Sequence, residues 1–562
     1  MNIYGALNIA RWALFSQQTA VEVAGHNIAN VNTEGYTRQQ AVIEASYPIP
    51  TTPGQIGTGV RVTEIKRAYD NFLGSQINSE TNLLGKWTSK EEALSRAEVV
   101  FNETTGGGLN KYLTEFWSAW QDLSLNPAGE TGRQAVIGKG KLLSDTFNKL
   151  STDLKRIRDD IDKKIVSTVD EINQFTGQVA ELNKTIHESE VTGENANDLR
   201  DKRELIIKKL AERIDVNYYE DSTNKQAIVY TAKGRPIVTG QYAFQLQAVQ
   251  NAENAALHDV KWKNVDGTLT DLSSDLTGGN LAGLIEARDS NVQQYLKKLD
   301  ILSASIVKEV NKKHVTGYGL DKSTGVNFFN VLSVTTKAGA SNTGSATVSS
   351  GSLSNPQVAA TDNYEVRFTS SSSYSIYNAT QRASSGTFTF SSGSAITFFQ
   401  QKGITVSVSG SASSGDRFVI SASENSAGTM AVNSTVEANT KKIAAAKSEA
   451  SGDGDNALSI GSLQSSLIIG GSGGAASGTY TFNDYYNAVV GTVGLDTSTA
   501  KDNVKQREAV KLQLENRREN ISGVSLDQEM TDLIKFQRAY GAAAKLIGVV
   551  DELLTTLLST VR

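Results

Sequence analysis

The feature that most constrains this chain is a pair of heptad seams, one at each end. Ile3, Leu7, Ala10, Leu14, Gln17, Val21, Ala24 and Ile28 follow one another at alternating steps of four and three. That period holds side chains on one stripe of a helix and asks for a partner helix against the stripe. Leu526, Met530, Leu533, Gln537, Tyr540, Ala544, Ile547, Asp551, Leu554, Leu558 and Val561 repeat the alternation at the other end, with Phe536 and Val550 widening it. Between Met1 and Thr33 the only formal charges are Arg11 and Glu22. A surface helix normally carries more charge on its outer face, so this one is expected to be covered on most sides.

Gln17, Gln537 and Asp551 interrupt the seams. They are either polar positions tolerated in a half-wet bundle or, as in coiled coils, the residues that set register. Burying the seam residues offsets only part of the conformational entropy lost on ordering two such helices. Both ends are therefore expected to be disordered in the free monomer and to order when neighbouring copies cover them.

The remaining pattern predicts a mainly α chain with a β insert. At 562 residues it is too long for one hydrophobic core. Asn and Gly near Gly35 end the first helix, and Val60 to Ile65 alternate as a strand. A long helical region follows from about 68 to 214. Its main stripe runs through Leu150, Leu154, Ile157, Ile161, Ile165, Val169, Ile172, Phe175, Val179, Leu182 and Ile186. Phe116, Trp117, Trp120 and Leu123 at helical spacing read as core. Val229 to Val238 read as a hairpin, and Leu281, Ile285, Arg288, Val292, Tyr295, Leu299, Leu302 and Ile306 as another heptad helix.

From about 336 to 440 Ser, Thr, Gly and Ala dominate, yet apolar alternation persists, as in Tyr364–Thr369 and Arg417–Ser423. That predicts short antiparallel strands. Helical pattern resumes near Ile443, with a Gly-rich break at 470–478. The expected architecture is an elongated multi-domain rod: residues 1–35 with 524–562 as paired coiled-coil-like terminal helices, 36–335 with 441–523 as a helical bundle with small β-hairpins, and 336–440 as an all-β outer domain.

A search for chemistry returns nothing, and no enzyme activity, cofactor or metal is expected. The chain has no cysteine, which excludes disulfides and thiolate sites. His26, His187, His258 and His314 are scattered. Gly132–Lys139 lacks phosphate-loop spacing, and Asp453-Gly454-Asp455-Asn456 lacks the closing Glu of a calcium loop. A net charge of −5 with interspersed signs argues against a nucleic-acid face. No apolar run reaches the roughly 20 residues that span a bilayer. The first fifteen residues lack a basic leader and a cleavage site, so no cleaved signal peptide is expected.

Asn27-Ile28-Ala29-Asn30-Val31-Asn32-Thr33-Glu34-Gly35-Tyr36 resembles the N-terminal signature of bacterial flagellar rod and hook axial proteins. Leu526–Met530 and Phe536–Tyr540 resemble the matching C-terminal signature. Tyr36-Thr37-Arg38-Gln39, Gly57–Val60, Leu281–Asp289, Asn311, His314, Gly317 and Phe328-Phe329 are similar to the hook-associated branch of that family, as are Gly415–Phe418, Asn456–Leu458 and Ile521–Val524. The resemblance stops over about 336–414. It implies a structural subunit exported unfolded by the flagellar type III route with a dedicated chaperone. Such a subunit forms a homo-oligomeric helical ring on the hook subunit and supports a second hook-associated protein and the filament. It also implies an extracellular place at the hook–filament junction. Two alternatives stay open: another axial subunit (second junction protein or hook), and a type III-secreted adhesin acting through the β insert.

Overall fold

The computed structural model describes residues 3–52, 54–102, 107–191, 193–221, 224–470 and 478–560. The Gly-rich 471–477, Val561 and the side chain of Ile3 lie outside the described residues.

More than half of the chain is helical. The main helices are α1 (Ile3–Ala29), α2 (Asn71–Val100), α3 (Leu109–Leu125), α4 (Glu130–Glu190), α5 (Asn197–Arg213), α6 (Gly279–Glu286), α7 (Gln293–His314), α8 (Phe482–Ser522) and α9 (Leu526–Thr560). The expected helical region 68–214 is thus four helices, α2 to α5. Asp70 starts α2 by accepting from the N–H groups of Phe72 and Leu73, a side-chain N-cap. The predicted stripe of α4 faces inward, with Leu154, Ile161, Ile165, Val169, Ile172 and Ile186 buried. Its run of fours, Ile157 to Val169, stays on that buried face.

The chain is nested. α1 packs on α9, α2 on α8, and α4 on both α3 and α5. The aromatic cluster on α3 is the knot of the rod core. Trp117 stacks on Phe482 at 5.5 Å, and Trp120 meets Phe328 edge-on at 5.1 Å. Gly140 of α4 lets this knot close, because a Cβ there would stand 3.0 Å from the Phe328 ring.

Small sheets decorate the helices. Strand Gln39–Ala45 pairs antiparallel with Val60–Arg67 and lies on α1. A four-stranded sheet begins at Val216, and a three-stranded one is ordered 269–271, 257–263, 246–251. Both touch α4. The expected 229–238 hairpin lies in the first.

The heptad segment expected as one helix from Leu281 to Ile306 is broken by a π-helical turn, Ala287–Val292. Arg288 explains it. This fully buried guanidinium donates to Asp162 Oδ1 at 2.6 Å and to the His258 carbonyl at 2.7 Å, and it clasps Asp289. The wider turn sets Arg288 on this polar cluster instead of in the apolar seam.

Residues 335–421 form a second body with its own core, including Val366, Phe368, Ile376, Phe399, Ile404 and Phe418. Its antiparallel five-stranded sheet is ordered 335–338, 417–421, 363–370, 373–378, 383–389. The body is not purely β: Thr397–Gln400 is a helical turn. The outgoing and returning strands pair, Thr335 opposite Ser421, so the chain leaves and re-enters the rod side by side. This core ends at Ala422, short of the expected 440. Ala427, Met430, Val436 and Ile443 already belong to the rod core.

Candidate functional site

The terminal layer, α1 with α9, is where the motif residues converge. Beyond α1 the Asn30 amide donates to the His26 carbonyl, the Thr33 hydroxyl to Asn30 Oδ1, and the Tyr36 N–H to the Thr33 carbonyl. Gly35 completes the turn at φ +82°, where a Cβ would also stand 3.3 Å from Leu205. Both facts select glycine.

The turn delivers a polar joint. Buried Asn27 uses all four of its hydrogen-bonding sites. Its Nδ2 donates to the Gln39 carbonyl (2.9 Å) and Glu529 Oε2 (3.0 Å). Its Oδ1 accepts from the Tyr36 hydroxyl (2.8 Å) and the Gln39 N–H (2.9 Å). Arg38 Nε donates to the other Glu529 oxygen at 2.7 Å, and the Arg38 N–H bonds the Ser522 carbonyl. Gln39 Nε2 reaches Asp198 at 2.7 Å, and the Thr37 N–H reaches Asp201 at 2.8 Å. Arg67 then bridges Asp201 and Glu204. Burial pushes the Asp201 and Glu204 carboxyls up although Arg67 pulls the other way. One continuous network thus ties α1, the first strand, α5 and the start of α9.

Of the ten motif residues, Asn27, Asn30, Thr33, Gly35, Tyr36, Arg38 and Gln39 build the turn or the joint. Ile28 is half-buried, and Ala29 and Asn32 are exposed. The sequence reading did not single out Asp198 or Asp201, and it quoted Glu529 only as part of the C-terminal signature. Each sits among other acids on its helix, indistinguishable from a solvated face without its partner.

The seams are helical, and Ala10 and Ala24 of the first are buried. Elsewhere on α1 burial favours the neighbouring position: Ser16, Ala20 and Asn27 are buried beside half-buried Gln17, Val21 and Ile28. Glu529, Ala543 and Val550 are buried beside Met530, Ala544 and Asp551. Leu7, Leu14, Gln17, Val21 and Ile28 are half-buried, as are Leu533, Phe536, Ile547 and Leu554. Leu526, Met530, Gln537, Tyr540, Asp551 and Leu558 are exposed in the single chain. Gln17 Oε1 is buried without a hydrogen-bond partner. Small residues on the buried line let the helices approach closely, which leaves larger side chains on the rim.

Among the described residues no group of His, Asp or Glu could hold a metal ion, and no helix is long and apolar enough to cross a membrane. His314 is a core residue. Its Nδ1 donates to the Val326 carbonyl at 2.7 Å, and its Nε2 accepts from the Ala444 N–H at 3.0 Å.

Three family models match, and their placement follows this geometry. Residues 94–329 match the helical domain of flagellar hook-associated protein FlgK. Residues 7–37 match the flagella basal body rod protein model, and 518–560 the C-terminal model of the basal body rod proteins FlgEFG. The two end matches coincide with the terminal layer and its joint. Flagellar hook-associated protein 1 of Bacillus subtilis (strain 168) is 28 % identical over 98 % of this chain and 97 % of its own length. That of Escherichia coli (strain K12) is 27 % identical over 98 % and 99 %. Along nearly its whole length the chain is similar to flagellar hook-associated protein 1. The fold agrees. The flagellar hook junction protein FlgK of Burkholderia pseudomallei superposes with a TM-score of 0.70 at 19 % identity, covering 80 % of this chain and 100 % of that one. These matches support a structural role in the flagellum.

Proposed function

We propose that this chain is the subunit that forms the hook–filament junction, assembling with copies of itself on the distal end of the hook and carrying the second hook-associated protein and the filament. The single observation that carries self-assembly is the apolar surface that the terminal layer leaves exposed. Tyr4, Trp12 and Phe15 on α1, and Leu546, Val549, Leu553 and Leu557 on α9, stand exposed on two helices of one layer. Large apolar side chains left exposed on both helices of one layer mark it as an interaction site. In this reading the seam positions exposed in the single chain, such as Met530 and Leu558, are covered by neighbouring copies, and the ends order as the ring forms. The 335–421 body is the outer domain of an elongated subunit. Export proceeds by the type III route with a chaperone.

Deleting the chain from its parent bacterium tests the reading. Hooks without filaments are expected, and filaments attached as usual would overturn it. Removing residues 335–421 alone separates junction from adhesin: retained motility with lost surface attachment would move the function to the insert.

A further inference from the structure

The outer face of α1 is aromatic. Tyr4, Trp12 and Phe15 fall on one side of the helix and are 68, 45 and 52 % exposed. Trp12 and Phe15 meet edge-to-face at 6.4 Å, and the Arg11 guanidinium lies over the Trp12 ring. α9 carries a surface of different shape. Leu546, Val549, Leu553 and Leu557 recur at steps of three, four and four and are between 42 and 53 % exposed. They form an aliphatic flank running beside the Ala543–Ile547–Val550–Leu554 line.

The contact of Asn27 with Glu529 makes α1 and α9 antiparallel and fixes their register. Counting from it at about 1.5 Å per residue, Trp12 lies level with about residue 544 and Tyr4 with about residue 552. The aromatic face and the aliphatic flank therefore occupy the same level of the layer, on different sides of it.

We propose that these are the two halves of one contact: the aromatic face of α1 seats on the aliphatic flank of α9 in the next copy, which stands in the same orientation about a shared axis. This rests on the reading of the chain as a self-assembling subunit and names the surfaces that subunit uses. Two unlike surfaces on one chain give a heterologous contact, which propagates around a ring or helix. A like-with-like contact stops at a dimer and leaves the other surface bare.

Charge sets the offset. The charged residues on the outer side of α1 are Arg11 and Glu22, and neither forms an ion pair within the described chain. With neighbours level, Arg11 stands beside Lys545, a like charge. Raising the neighbour by about five residues, roughly 7 Å, brings Arg11 within about two residues of Asp551 and Glu552 and Glu22 within about one of Arg538. All three partners are exposed and free of ion pairs among the described residues. The same offset sets Trp12 on Val549.

Absence of cysteine from the chain makes the test clean. Trp12→Cys and Val549→Cys full-length chains are produced singly and together in cells assembling flagella, then oxidised. A dimer-sized cross-link is expected when both are present and not with either alone. The double variant is expected to give a ladder. Junctions that form but cross-link Trp12→Cys to itself, or that give no mixed product, overturn the proposal and leave the assembly reading standing. Wild-type chain that forms no junction overturns the assembly reading itself. Charge reversal is the second arm: Arg11→Glu is expected to lower assembly, and Asp551→Lys with Glu552→Lys to restore it. No restoration counts against the offset contact.

Discussion

Asn27 and Glu529 stand 502 positions apart in sequence, yet the Asn27 amide donates to the Glu529 carboxylate across 3.0 Å in a buried site. This bond closes the chain's two ends onto each other. It also anchors them to the rod, because Gln39 and Arg38 complete the same network and carry it to α5. A fully satisfied buried network of this kind specifies one arrangement. The joint therefore fixes the register that the terminal layer takes when its two helices order.

Replacing Asn27 by Leu is expected to loosen that joint. It strands the Gln39 backbone groups and one Glu529 oxygen, at about 1–3 kcal/mol for each buried group left unpaired, and leaves the Tyr36 hydroxyl only its contact with His26. Limited proteolysis checks it: cleavage within 30–38 rises, while the 335–421 body stays intact.

Gly35→Ala tests the turn separately. A side chain at φ +82° costs about 1–2 kcal/mol before the contact with Leu205 is counted. Chemical denaturation should show this loss, and an unchanged midpoint would contradict the tight turn.

His314 makes the rod acid-sensitive. Burial holds its imidazole down at about 4, below the ordinary 6.5 of an exposed histidine. Between those values the unfolded chain binds the proton more readily than the folded one. The contribution is complete above pH 6.5 and is lost as pH falls toward 4, about 3 kcal/mol in all. His314→Gln should remove this slope from urea midpoints measured across that window.

Asp300 works in the opposite sense. Its carboxylate accepts the Asn425 and Ala427 N–H groups, each at 3.0 Å, where the chain returns from the 335–421 body. Burial pushes this carboxyl up to about 7, against an ordinary 3.8; the two N–H bonds and Lys155 oppose the rise, and Glu424 adds to it. Folded Asp300 thus holds its proton more tightly than unfolded, and its contribution declines as pH rises from about 4 to about 7. Asp300→Asn should expose the rising slope of His314, and His314→Gln the falling slope of Asp300. Asp300→Asn also loses one acceptor, so proteolysis near Asn425 should increase.

How much of this was legible depended on what each pattern encodes. The heptad period marked both terminal helices, since an apolar side chain every third or fourth residue is a local property. Their contact phase was legible only in part: Ala10, Ala24 and Val550 are buried as the pattern places them. The template weights large apolar residues, whereas the buried line uses Ser16, Ala20 and Asn27. The π turn at 287–292 answers to Asp162, 126 positions before Arg288, a partner that no periodicity reveals. The insert was visible as a composition shift, but its end was not. Residues 427–443 keep a polar composition while Ala427, Met430 and Val436 dock in the rod core.

The most direct measurement of the central claim is where the chain sits in an assembled flagellum. Antibody raised against the 335–421 body, visualised with gold on intact hook–filament structures, should label one short band between hook and filament. Label along the whole filament, or none at that junction, would contradict the account.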